Sequence, residues 1–153
     1  LYTGQEAVAV GICEALTPAD KITSTHRGHG HCVAKGAEFK AMFCELLGRA
    51  EGYCGGKGGS MHIADQANGN LGANAIVGGS AGIATGAALT ARRLGRREVA
   101  VCFFGDGALG QVLDAYQAED RALLGVGAAL GRAGALPAGV GQPQLRLAYF
   151  MYN

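Results

Sequence analysis

Val99 to Gly107, V-A-V-C-F-F-G-D-G, constrains the fold most: six consecutive apolar residues run directly into Gly-Asp-Gly. An uninterrupted apolar run of this length suits a strand buried on both faces, as in a parallel sheet covered by helices. The expected fold class is therefore α/β, a parallel sheet with helices on both faces. In such sheets ligands bind in the crevice beyond the carboxyl ends of the strands, where Asp106 would stand. Two readings of Asp106 remain open at this point. It presents an acid to a ligand through a hard metal ion, or it caps a helix over the A-L-G-Q-V-L-D-A stretch that follows.

One domain is the default for 153 residues. A net charge of +1 gives no reason to expect nucleic acid or an acidic membrane surface as a partner. No apolar run approaches the ~20 residues that span a bilayer. Five cysteines without a C-x-x-C pair fit reduced thiols. The chain begins mid-pattern at Leu1 and stops after an apolar run at Asn153, so a fragment, or a misread frame at one end, is expected.

Gln5 to Leu16 has helical spacing and is ended by Thr17-Pro18. Lys21 to Thr25 predicts a short strand. It leads into His26-Arg27-Gly28-His29-Gly30-His31-Cys32. Zinc is the weaker reading of this stretch, because no second His/Cys cluster completes a tetrahedral set. An anion site suits it better: Arg27 offers a planar fork, the glycines expose amides and the imidazoles donate hydrogen bonds. A polar loop with structural histidines is the plain alternative.

Glu38 to Arg49 predicts an amphipathic helix with Phe39, Met42, Phe43, Leu46 and Leu47 in the core. The glycine-rich 48–59 stretch fails the Walker pattern, since Glu51 stands at the first glycine position and Gly58 follows Lys57. It is either a cationic loop near an active site or a surface loop. Asp65 to Gly79 carries turn chemistry throughout. Ala81 to Arg93 predicts a helix of small residues that permits close backbone approach, with its arginines at the end where cations oppose the dipole. A helix is expected from Gly107 to Leu124. The 125–143 stretch is rich in Gly, Ala and Pro and matches a dinucleotide loop poorly. Leu145 to Tyr152 predicts a further buried strand.

Five ordered stretches then identify a family. They are L-Y-T-G-Q-E-A-V-A-V-G from Leu1, S-T-H-R-G-H-G-H-C-V-A-K-G from Ser24, G-G-K-G-G-S-M-H-I-A-D from Gly55, G-N-L-G-A-N-A-I-V-G-G from Gly69, and V-A-V-C-F-F-G-D-G-A from Val99. Together they resemble the alpha subunit of the thiamine-diphosphate-dependent first component of 2-oxo acid dehydrogenase complexes, in the pyruvate and acetoin dehydrogenase branch. The likeness runs to about Gln111; residues 112–153 diverge within what is expected to be one partial domain over 1–153.

The resemblance implies thiamine diphosphate and Mg²⁺ as cofactors. By position, Asp106 is a Mg²⁺ ligand, and Gly107 and Ala108 contact the diphosphate through backbone. Arg27 binds the diphosphate, His26 lines the cofactor site, and His29 in the same loop is the catalytic candidate. Ala75 and Val77 match positions that contact the aminopyrimidine; relatives usually have Gly at position 75, so a positive φ there would strain Ala75. The family's Asn-Asn pair after G-D-G does not occur here, which leaves Asn153 as the candidate second metal ligand.

The implied activity is oxidative decarboxylation of a pyruvate-like 2-oxo acid, or cleavage of acetoin, with acyl transfer to lipoamide. The implied partners are a separate beta subunit in a heterotetramer, a lipoyl-bearing acyltransferase and the small substrate, with no nucleic acid or membrane. The implied compartment is cytoplasmic in a bacterium and the mitochondrial matrix in a eukaryote. The rivals are a non-catalytic copy that keeps only the half-fold, and a decarboxylase or transketolase-like enzyme of the same cofactor.

Overall fold

A computed structural model describes residues 2–108 and 147–152. Four strands, β1 (Lys21–Thr25), β2 (Asn70–Asn74), β3 (Ala100–Gly105) and β4 (Leu147–Tyr152), form one sheet in the order β2-β1-β3-β4. Every pairing is parallel. The helices are α1 (Glu6–Glu14), α2 (His29–Ala34), α3 (Phe39–Leu46) and α4 (Gly79–Arg93). The expected parallel α/β architecture is therefore present.

The apolar run of β3 explains the layering. Alternate side chains of a strand point to opposite faces. Cys102 and Phe104 pack with Ala81 and Ala84 of α4 on one face. Val101 and Phe103 pack on the other with Ile22 and Cys13, flanked by Val8 and Ile12 of α1 and Ala34 of α2. The small-residue pattern of α4 is the close approach to the sheet that its sequence allows: Ala81, Ala84, Ala88 and Ala91 are all buried.

β1 buries polar residues, and each has a partner. The Thr23 hydroxyl donates to the Ser80 carbonyl at 3.2 Å, and the Ser80 hydroxyl donates to the Ser24 carbonyl. Two serines and a threonine thus pin the start of α4 to the middle of the sheet.

At the amino edge of the sheet Asp20 acts as a clasp. One carboxylate oxygen accepts the Val99 amide at 2.7 Å; the other accepts the Thr17 amide at 2.7 Å and its hydroxyl at 2.8 Å. Burial pushes the Asp20 carboxyl up, but these donors outweigh burial and hold it below its ordinary value. The end of the α1 turn, the start of β1 and the start of β3 therefore share one anchor.

Two expectations are corrected. The 65–79 segment is not turn throughout: Asn70–Asn74 forms β2, an edge strand paired in parallel with β1. Its polar, glycine-containing sequence lacks alternation because it is only half covered. The apolar side of α3 is not core. Met42 is buried, but Phe39, Phe43 and Leu47 are 59%, 56% and 73% exposed, and Leu46 is also exposed. Glu45 occupies the buried side instead, for the reason given below. The predicted 107–124 helix and the 125–143 stretch lie outside the described residues, apart from a single helical turn over Asp106–Ala108.

Candidate functional site

The strand order fixes where a ligand fits. From β1 the chain moves to β2 on one side; from β2 it crosses back past β1 to β3; from β3 it continues to β4 on the far side. The chain therefore reverses direction between β1 and β3. In open parallel sheets the crevice at such a reversal, at the carboxyl ends of the strands, is the ligand site.

The residues that follow those two strands are the predicted ones. His26 and Arg27 leave the end of β1, and Asp106 and Gly107 leave the end of β3; all four are exposed. Ala108 is buried against α4 residues Ala81 and Ala84. Ala75 and Val77 follow β2 at the same edge, Ala75 half-buried and Val77 half-exposed. No non-glycine residue among those described has a positive φ, so Ala75 fits its place without strain. Gly28 is required by close approach: a Cβ there would stand 2.7 Å from the Ala73 Cβ and 2.9 Å from the Thr25 carbonyl, between β1 and β2. Asn153 lies outside the described residues, one position beyond Tyr152, which pairs with Gly105.

The His26–Cys32 stretch is not one loop. His29 opens α2, so the three histidines part company. His26 stays exposed at the edge. His29 is half-buried, edge-on to Tyr2 with ring centroids 5.8 Å apart, and burial holds its pKa below the ordinary value. His31 is fully buried, stacked on Phe103 at 3.8 Å, with Nδ1 2.7 Å from the Ser24 hydroxyl. It is a core residue and not an anion donor.

Burial lowers the His31 pKa to about 3. Unfolded, the same imidazole takes up a proton near ~6.5. The unfolded state thus binds more protons across that interval, and stability falls as the pH drops from ~6.5 toward 3. His31→Gln is expected to flatten this slope in urea midpoints measured against pH.

The glycine-rich loop resolves differently from either expectation. Its amides are already engaged by a carboxylate of the chain itself. Glu45 Oε2 accepts the amides of Cys54 at 2.7 Å and Gly56 at 2.8 Å; Oε1 accepts those of Gly58 at 2.6 Å and Gly59 at 2.9 Å. Successive backbone amides of this kind form an anion-binding concavity, here filled from α3. Burial pushes the Glu45 carboxyl up, but the amides outweigh it and hold the carboxyl below its ordinary range. Gly52 makes the approach possible, because a Cβ there would meet the Glu45 Cα at 2.5 Å. Sequence reasoning missed this residue; a lone Glu on an apolar helix, several residues before a run of glycines, was the available signal.

The donor set suits a cation shared with phosphate. Asp106 offers exposed carboxylate oxygens at the reversal point, which suit a hard cation. Among the described residues no three His, Cys, Asp or Glu side chains gather into a metal cluster. Mg²⁺ commonly uses one or two carboxylates and takes its remaining ligands from phosphate and water, so one acid is compatible with it. Arg27, which leaves the neighbouring strand β1, is of a side-chain type that suits bidentate donation to phosphate.

A family model described as "Dehydrogenase E1 component" matches residues 1–119. Over 111 residues the chain is 60% identical to the alpha subunit of acetoin:2,6-dichlorophenolindophenol oxidoreductase of Bacillus subtilis, covering 72% of this chain and 33% of that protein. It is 43% identical over 115 residues to the chloroplastic pyruvate dehydrogenase E1 component subunit alpha-3 of Arabidopsis thaliana, covering 70% of this chain and 26% of that protein. It is 41% identical over 118 residues to the pyruvate dehydrogenase E1 component subunit alpha of Rhizobium meliloti, covering 76% of this chain and 34% of that protein. The chain thus spans about a third of the length of these relatives.

Proposed function

Because the chain belongs to the dehydrogenase E1 component family, we propose that it forms the diphosphate-binding part of an alpha subunit acting on a small 2-oxo acid or acetoin. The observation that carries this reading is the placement of Arg27 and Asp106 on either side of the β1/β3 reversal. A cationic fork and a carboxylate facing one crevice suit a diphosphate bridged by Mg²⁺.

When bound, thiamine diphosphate supplies the electron sink for breaking the carbon–carbon bond next to the carbonyl. The chain's own residues bind and orient. Arg27 neutralises the diphosphate, with His26 beside it. Asp106 would hold the cation, and the backbone of Gly107 and Ala108 would add contacts to the diphosphate. Ala75 and Val77 give the ring an apolar wall at the end of β2. By the family resemblance His29 would hold or move a proton at its imidazole, whose basicity burial lowers. Asn153 is the proposed second metal ligand. A beta subunit completes the site, and a lipoyl-bearing acyltransferase takes the acyl product. The resemblance gives a bacterial chain a cytoplasmic place and a eukaryotic one a mitochondrial place. No helix among the described residues is long and apolar enough to cross a membrane.

The test is a titration of thiamine diphosphate into the full-length subunit mixed with its beta subunit, with and without Mg²⁺. Saturable binding that requires Mg²⁺ is expected, with turnover of pyruvate or acetoin. Absence of binding would favour a non-catalytic copy that retains only the half-fold. Binding without need of a beta subunit would favour a decarboxylase or transketolase-like enzyme.

A further inference from the structure

We propose that Glu45 is a positioning residue: by holding the amides of the 54–59 loop it sets where Lys57 and His62 stand, and these face the carboxylate of a small 2-oxo acid. This rests on the reading of the site given above and adds a substrate-facing wall to it.

The placement follows from backbone contacts. Residues 63–65 run antiparallel to β2 on its outer side: the Ala73 amide donates to the Ile63 carbonyl at 2.9 Å, and Asp65 and Asn70 exchange amide hydrogen bonds at 2.9 Å. His62 precedes this segment and so lies next to the carboxyl end of β2, the edge from which Ala75 and Val77 emerge. Adjacent strands lie about 4.8 Å apart, so this wall stands about 10 Å from the line of β1.

The loop is locked to Glu45 at one end and to His62 at the other. The Cys54 thiol donates to the His62 carbonyl at 3.1 Å, while the Cys54 amide donates to Glu45 at 2.7 Å. A Cβ on Gly58 would stand 3.1 Å from the His62 Cβ and 3.3 Å from Glu45 Oε1. The side chains this arrangement displays, Lys57 and His62, are both exposed. A cation and a hydrogen-bonding imidazole at the outer wall suit an anionic substrate better than a neutral one. The loop amides cannot bind that anion themselves, because Glu45 already fills them.

The experiment uses the full-length subunit assembled with its beta subunit, with pyruvate as the substrate probe. Glu45→Ala is expected to raise KM for pyruvate tenfold or more while the Kd for thiamine diphosphate stays within about twofold. Millimolar formate, small enough to refill the concavity, is expected to restore KM. His62→Ala changes an exposed side chain and is expected to raise KM in the same way, with cofactor affinity unchanged. An unaltered KM in His62→Ala overturns the proposal even if Glu45→Ala does not fold. So does parallel loss of cofactor binding in Glu45→Ala, or a preference for neutral acetoin that His62→Ala leaves untouched. Failure of the unsubstituted protein to bind the cofactor would instead sink the underlying functional reading.

Discussion

Asp106→Ala is expected to abolish Mg²⁺-dependent binding of thiamine diphosphate in the assembled protein. Asp106 follows β3 directly and is exposed at the chain-reversal crevice, so its removal leaves the core intact. The diphosphate then loses the cation that joins it to the protein. Truncating one partner of a charge pair costs about 2–5 kcal/mol, and about 1.4 kcal/mol is a tenfold change in affinity. A weakening of about a hundredfold or more is therefore expected by calorimetric titration, with thermal stability of the cofactor-free protein within about 0.5 kcal/mol of the parent, as for an ordinary surface change. Asp106→Asn keeps one oxygen donor and should fall between the two. Retained micromolar affinity in Asp106→Ala would remove this residue from the site.

The second large effect concerns folding. Glu45→Leu keeps comparable bulk on the buried side of α3 but leaves the amides of Cys54, Gly56, Gly58 and Gly59 without their acceptor. A buried unsatisfied donor costs about 1–3 kcal/mol; these amides are part-buried, so water and relaxation of the loop recover part of that. A net loss of about 4 kcal/mol is expected in denaturant unfolding, with early proteolysis in the 48–60 segment. The same contact gives an acid limit. The carboxyl is held below its ordinary value when folded, so its contribution is fully present above the unfolded value of about 4.3. It is lost as the pH falls through the lower folded value. Glu45→Leu should lack this component of acid destabilisation; an identical acid profile would remove Glu45 from that role.

The parts of the fold that the chain spells out locally are those buried on both sides or packed along one stripe. β3 is legible because six apolar residues have no other use than a doubly covered strand. α4 is legible because Ala81, Ala84, Ala88 and Ala91 recur at helical spacing and are buried. β1 is legible from its β-branched residues, although the Thr23 and Ser24 it buries find their partners only through α4 and α2. β2 escapes because an edge strand can be polar and contain glycine. α3 misleads: its period is helical, but its apolar stripe faces outward and a carboxylate faces in. The one local mark of that choice is a lone Glu ahead of a glycine run, since the compensating amides come from a loop 9 to 14 residues downstream. At the candidate site, the positions of His26, Arg27, Asp106 and Gly107 at strand ends were legible in the sequence. The separate fates of His26, His29 and His31 were not, because they depend on a helix beginning at His29.

The Asp20 clasp bears on how such a chain can diversify. It ties the beginnings of β1 and β3 at the edge opposite the crevice, so strand register is held from behind. Segments at the front are then free to drift in sequence without slipping the sheet beneath them. A sheet anchored at its back in this way keeps its geometry while the residues at its working edge change.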